Sequence, residues 1–88
     1  MDDQLFLTTI LQGLVEFPND VRVQKTTDDM GVLLTIDVNI KDLGTVIGKQ
    51  GSTARSIRKL MKVFGGRHKS NINVRLNEPN RTSGSESF

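Results

Sequence analysis

Gly48-Lys49-Gln50-Gly51 holds the residue types and spacing most able to do chemistry in this chain. Two glycines bracket a cation and an amide, and the basic stretch "STARSIRKLMK" follows at once. Glycine lets the backbone take positive φ and lets another backbone approach closely. A helix that begins just after such a corner turns amide N–H groups outward, where an anion can sit. Lys49 adds a positive charge at the tip. This chemistry suits a phosphodiester held by its backbone, with its bases left free to lie elsewhere.

The surrounding charge agrees. Residues 41–69 carry eight basic side chains, Lys41, Lys49, Arg55, Arg58, Lys59, Lys62, Arg67 and Lys69, against Asp42 alone, a net of +7. The remainder holds four basic and nine acidic residues, a net of −5, so the whole chain is +2. A concentrated basic segment in an acidic chain points to a polyanion-binding face. A solvated helix face has the same composition, and charge alone does not choose between them. Arg55, Lys59 and Lys62 follow i, i+4, i+7 spacing with Arg58 beside them, which reads as a phosphate-tracking stripe strongest near the glycine loop.

Two other phosphate loops fail on spacing. A nucleoside-triphosphate loop needs four residues between its glycines and then Lys-Ser or Lys-Thr. Gly44 and Gly48 have three between them, and Gln50 follows Lys49. The dinucleotide fingerprint does not match Gly44, Gly48 and Gly51 either, and no parallel strand–helix–strand unit surrounds them. Catalysis finds no constellation. Cysteine is absent and His68 is the only histidine, so no nucleophile–base set and no imidazole or thiolate metal site is expected. No cofactor is called for. His68 reads as an exposed loop residue, and Asp42 as a helix cap.

The elements that would position the loop follow from periodicity. Asp3 to Glu16 reads as a helix, with Leu7, Ile10, Leu11 and Leu14 facing a core, Asp2 and Asp3 at its start, and Pro18-Asn19 ending it. Val21–Thr26 and Val32–Asn39 alternate as two strands of an antiparallel hairpin around the turn at Asp28–Gly31. Asp42 caps a short helix through Ile47. Ser52 to Phe64 forms a further helix with Ala54, Ile57, Met61 and Phe64 on one stripe, capped by Ser52 or Thr53 and stopped by Gly65-Gly66. Asn71–Leu76 is a third strand. The fold class is α+β: helix, strand, strand, helix, helix, strand, with a three-stranded sheet covered on one face by three helices. One domain over 1–77 is expected, with a disordered polar tail over 78–88. No run approaches the roughly 20 apolar residues of a membrane span. The acidic start, Met1-Asp2-Asp3, is unlike a signal peptide, so no membrane insertion and a cytoplasmic location are expected.

"VIGKQG", Val46 to Gly51, resembles the V-I-G-x-x-G signature of KH domains, whose loop lies between two helices. The element order is similar to the bacterial, type II arrangement. "DLGTVIGKQGSTARSIRKLM", together with "EFPNDVRV" near Phe17, resembles the KhpA family of small single-domain bacterial KH proteins over residues 3–77. A bare G-x-x-G is weak evidence; the full stretch in this order is strong. The resemblance implies non-catalytic binding of single-stranded RNA, about four nucleotides in a narrow groove, with the loop on the backbone and the opposite wall on the base edges. Carried over, Gly48 and Gly51 are the loop glycines, Lys49 and Gln50 the variable pair, and Val46 and Ile47 the apolar positions ahead of it. Ser52, Arg55, Arg58 and Lys59 complete the expected RNA-binding set. No aromatic residue lies between Leu43 and Val63, which fits a groove that works by aliphatic contact and hydrogen bonds rather than stacking. The resemblance also implies a homodimer, a heteromer with a larger KH-containing protein (KhpB, also called Jag), and RNA-chaperone or post-transcriptional roles linked to cell division, cell shape and cell-wall growth. A protein-interaction adaptor, with RNA binding secondary, is the rival reading.

Overall fold

The computed structural model describes residues 1–77. The polar tail expected over 78–88 lies outside the described residues. The chain runs α1 (Asp3–Leu14), β1 (Arg22–Asp28), β2 (Gly31–Asp37), α2 (Leu43–Ile47), α3 (Ser52–Arg67) and β3 (Ile72–Leu76), with single 3-10 turns at Pro18–Asp20, Ile40–Asp42 and Lys49–Gly51. The order and the α+β class match the sequence-based expectation.

Asp2 starts α1 as its N-cap, its carboxylate accepting from the Leu5 N–H at 2.7 Å. This satisfies one of the donors a helix start leaves without an intrahelical partner. Leu7 and Leu11 are fully buried. Leu14, expected to face the core, is exposed, and the helix ends there, two residues before Glu16. Pro18 and Asn19 do not end it; they form the following 3-10 turn. Asp3 is buried and pairs with Lys25 at 3.0 Å, which ties α1 to β1.

β1 and β2 pair antiparallel from Arg22↔Asp37 to Asp28↔Gly31, so only Asp29 and Met30 connect them. β3 pairs parallel with β2, from Val32↔Ile72 to Ile36↔Leu76, giving a mixed sheet in the order β1-β2-β3. Alternate residues Val32, Leu34, Ile36 on β2 and Ile72, Val74, Leu76 on β3 are buried, the period of two that a half-covered sheet imposes. They meet Leu7, Leu11, Val46, Ile57 and Met61 in one core beneath the helices.

Two further expectations need correction. Gly65-Gly66 does not stop the last helix: α3 continues to Arg67. A Cβ at Gly65 would press on the Ser70 carbonyl and Ile72. Gly65 is therefore the place where β3 approaches the helix backbone, not a terminator. Asp42 does not cap α2 with its side chain. It is 2% exposed, and its two carboxylate oxygens accept separately from Glu16 N–H (3.0 Å) and Phe17 N–H (3.1 Å). The Lys41 ammonium lies 5.9 Å from the centre of the Phe17 ring beside this contact. The carboxylate joins the segment leaving α1 to the start of α2.

Replacing Asp42 by Asn puts an NH2 donor against one of two buried N–H donors and removes the charge that strengthens both bonds. Hydrogen bonds to a charged group contribute about 1.5–3 kcal/mol each, so Asp42→Asn is expected to cost roughly 3 kcal/mol. Urea denaturation followed by circular dichroism measures this; a loss under about 0.5 kcal/mol, the level of an ordinary surface change, would overturn the anchoring role.

Candidate nucleic-acid interface

Four residues, Gly48 to Gly51, connect α2 to α3. Gly48 ends α2 with φ 78° and ψ 171°, a region that is essentially open only to glycine. A Cβ there would also collide with the Thr53 side chain. Gly51 follows at φ 77° and ψ 13°. Between them Gln50 takes φ 54° and ψ 29°, a left-handed conformation that costs a non-glycine residue about 1–2 kcal/mol. Arg55 braces it: its Nη1 donates to the Gln50 carbonyl at 2.8 Å. Neither Ser52 nor Thr53 caps α3, contrary to expectation; Gly51 occupies the cap position and no side chain makes a capping hydrogen bond. The Ser52 N–H is taken by the Lys49 carbonyl of the preceding turn, and the positive dipole end of α3 lies beside Lys49, which is exposed.

The expected site residues fall into two layers. Lys49, Gln50, Ser52, Arg55 and Lys59 are exposed, and Ile47, Gly48, Gly51 and Arg58 are half-buried. Val46 is fully buried in the core, and Ile47 packs against that core. Val46 thus fixes the position of the loop from beneath, while the others present a surface.

α3 carries different chemistry on each flank. At about 100° per residue, Ala54, Ile57, Met61 and Gly65 share the buried stripe, and Arg55, Arg58 and Lys62 fall within about 60° of one another on one side of it. Lys59 lies about 40° further outward from Arg55. The basic flank faces β3: Lys62 Nζ donates to Asn73 Oδ1 at 3.2 Å. Gly65 meets Ser70 and Ile72, so moving back along α3 moves forward along β3. The loop end of α3 therefore lies toward the Leu76 end of the strand.

β3 is an edge strand whose outer side is open to this flank. Val32 N–H donates to the Asn71 carbonyl and Asn77 N–H to the Ile36 carbonyl, each at 2.8 Å. Bonding residues alternate along a parallel ladder, so Asn71, Asn73, Arg75 and Asn77 use β2, and Ile72, Val74 and Leu76 turn their backbone N–H and C=O groups to the outer edge. The basic flank of α3 and the open edge of β3 therefore run side by side from the glycine loop to the Lys62–Asn73 contact, and the space between them is the candidate cleft. The eleven residues from Ser52 to Lys62 span about 15 Å of helix, longer than the roughly 10 Å from the first to the fourth nucleotide at about 3.4 Å per step.

Three features escaped sequence reasoning: the Arg55 brace, the Asp42 anchor and the approach of Lys62 to Asn73. Spacing placed Arg55 near the loop, but its use as a brace depends on the left-handed Gln50 that only the folded loop reveals. His68, read as an exposed loop residue, is exposed, and its ring stacks on Phe64 with centroids 4.2 Å apart just past the end of α3. Among the described residues, no group of three or more His, Cys, Asp or Glu side chains is placed to hold a metal ion, and no helix is long and apolar enough to cross a membrane.

Comparison with known proteins adds an independent line. The family model described as "KhpA/KhpB, KH domain" matches residues 4–77. A protein of Leifsonia xyli subsp. xyli named RNA-binding protein KhpA is 37% identical over 68 residues, 77% of this chain and 90% of that protein. One of the same name from Clostridium acetobutylicum is 34% identical over 70 residues, 80% of this chain and 93% of that protein. Another, from Mycobacterium leprae, is 41% identical over 58 residues, 66% and 72% of the two chains. No solved structure matches the chain. With the glycine loop set between two helices over a mixed three-stranded sheet, and the family model spanning nearly all the described residues, the chain belongs to the KhpA/KhpB KH-domain family.

Proposed function

We infer that this protein binds single-stranded RNA without catalysing a reaction on it. The observation that carries the reading is the cleft: an uncapped helix start and Lys49 at one end, a basic helix flank along one wall, and strand-edge amides along the other. Phosphates meet the loop and the basic side chains, which position the strand. Bases turn to the strand edge, where amides and carbonyls can meet their hydrogen-bonding edges. Gly48, Lys49, Gln50, Gly51, Ser52, Arg55, Arg58 and Lys59 make the surface, with Ile47 as apolar floor and Val46 holding that floor from below. Few groups are fixed enough to read bases, so sequence preference is low. The relatives' name, RNA-binding protein KhpA, supports the same reading. A cytoplasmic, post-transcriptional or RNA-chaperone role connected with cell division, cell shape and wall growth is what family membership suggests for it.

A second reading has its own observation. Leu14, Leu60 and Val63 are 45%, 48% and 59% exposed. Leu60 and Leu14 line a shallow groove with Ile10 between α1 and α3. An apolar face of this kind favours a protein partner. We assign it to self-association, or to pairing with the larger KH-containing relative KhpB/Jag. A four-nucleotide cleft binds weakly, and two clefts joined on one RNA gain through effective concentration. An adaptor role then complements RNA binding rather than replacing it.

Three outcomes are expected. Lys49→Asp with Gln50→Asp places two carboxylates where phosphate sits, so single-stranded RNA affinity falls by about tenfold or more with the circular dichroism spectrum unchanged. Gel-shift titration reads this, and undiminished binding removes the cleft assignment. Three engaged cations should give a slope near −2 in log affinity against log salt, at about −0.7 per single-strand phosphate; a flat response would favour the adaptor reading. Leu60→Asp is expected to turn a dimer into a monomer in sedimentation velocity and to weaken binding to long RNA more than to a tetranucleotide. A wild type that is monomeric at high micromolar concentration would remove the self-association.

A further inference from the structure

The Lys62–Asn73 contact sits at the end of the cleft farthest from the glycine loop. It joins the basic flank of α3 to the rim of β3, and both residues are exposed. Lys62 shares its flank with Arg55 and Arg58, about 20° from Arg55 by helical position. Arg55 already gives one donor to the Gln50 carbonyl, so the flank's cation at the loop end is partly engaged in holding the loop. Lys62 is held by a single neutral amide oxygen. An exposed neutral contact of this kind is readily exchanged for a phosphate oxygen, because an ammonium binds an anion more strongly than an amide. Once released, the Asn73 carboxamide offers a donor pair and an acceptor at the rim of the strand edge. A carboxamide so placed can bond a base edge with both functions at once.

We propose that Lys62 and Asn73 form a terminal nucleotide subsite: Lys62 takes the phosphate and Asn73 reads the base of the nucleotide farthest from the glycine loop. The proposal rests on the reading of the cleft as a single-stranded RNA site and adds the place where that site acquires a base preference. The two residues have separable signatures. A phosphate contact weakens all sequences alike and reduces the salt slope when lost. A base contact changes the ranking of sequences and leaves the salt slope alone.

The test compares the full chain with Lys62→Ala, Lys62→Arg and Asn73→Ala, using fluorescence anisotropy on six-nucleotide oligo-A, oligo-C and oligo-U at several salt concentrations. Lys62→Ala is expected to weaken all three about fivefold and to flatten the salt slope by about 0.7. Lys62→Arg keeps the slope. Asn73→Ala is expected to shrink the ratio of strongest to weakest binder about fivefold with the slope unchanged. Both positions are exposed, so circular dichroism melting should stay near wild type. Wild-type binding with no base preference, or an Asn73→Ala variant that weakens all three equally, overturns the base contact. Wild-type affinity and slope in Lys62→Ala overturn the phosphate contact. Failure of the wild type to bind any of the three oligonucleotides overturns the cleft reading itself, a result distinct from the other two.

Discussion

The buried carboxylate of Asp42 is the contact on which the geometry of this fold turns. Two peptide N–H groups, from Glu16 and Phe17, would be left without partners as the chain leaves α1, and Asp42 accepts both. Burying an unpaired carboxylate is costly, and burying unpaired amides is costly as well; together they satisfy each other. Asp42 immediately precedes α2, and α2 is only five residues long. A helix that short has little stability of its own. Its placement, and with it the placement of the glycine loop, comes from the anchor at one end and from Val46 in the core.

From that fixed point the loop has few choices. Gly48 must take a conformation available to glycine, and Gln50 then enters the left-handed region, its carbonyl met by Arg55. Strain at Gln50 and the brace at Arg55 belong to one device. A binding loop whose backbone is set in advance loses less conformational freedom when a ligand orders it. The Arg55 cation that holds the loop shares its flank with Arg58 and Lys62, so loop geometry and flank charge are carried by neighbouring side chains.

Much of this was legible in the sequence because the signals were local. The antiparallel hairpin followed from alternation on either side of a short turn, and the helix stripe Ala54, Ile57, Met61 from a period of 3.6. The glycine pair announced a loop of unusual backbone. What escaped depends on contacts that periodicity does not report, whether five residues apart, as between Arg55 and Gln50, or far along the chain. Gly65-Gly66 reads locally as a stop, yet α3 runs through it to Arg67, and the missing side chain at Gly65 leaves room for Ser70 and Ile72. Asp42 reads locally as a cap, yet its partners lie 25 and 26 residues away. Leu14 fits the apolar period of α1, yet it lines the open groove toward α3 and stays 45% exposed. Local chemistry fixes which residues can play a role; the fold decides which neighbour each one meets.

The division of α3 has a functional consequence. Its buried stripe belongs to the core, Arg55, Arg58 and Lys62 lie on one flank, and Leu60 and Val63 lie on another, roughly 140° away around the helix axis. A partner seated against Leu60 and Val63 leaves the basic flank uncovered. Nucleic acid in the cleft likewise leaves the apolar groove between α1 and α3 open. The two surfaces share one helix and meet at Ser52, which lines the groove between α1 and α3 and also stands beside the glycine loop. The acidic remainder of the chain, net −5 against +7 over residues 41–69, works in the same direction. Such an asymmetry repels a polyanion from the rest of the molecule and concentrates attraction on the loop and the basic flank.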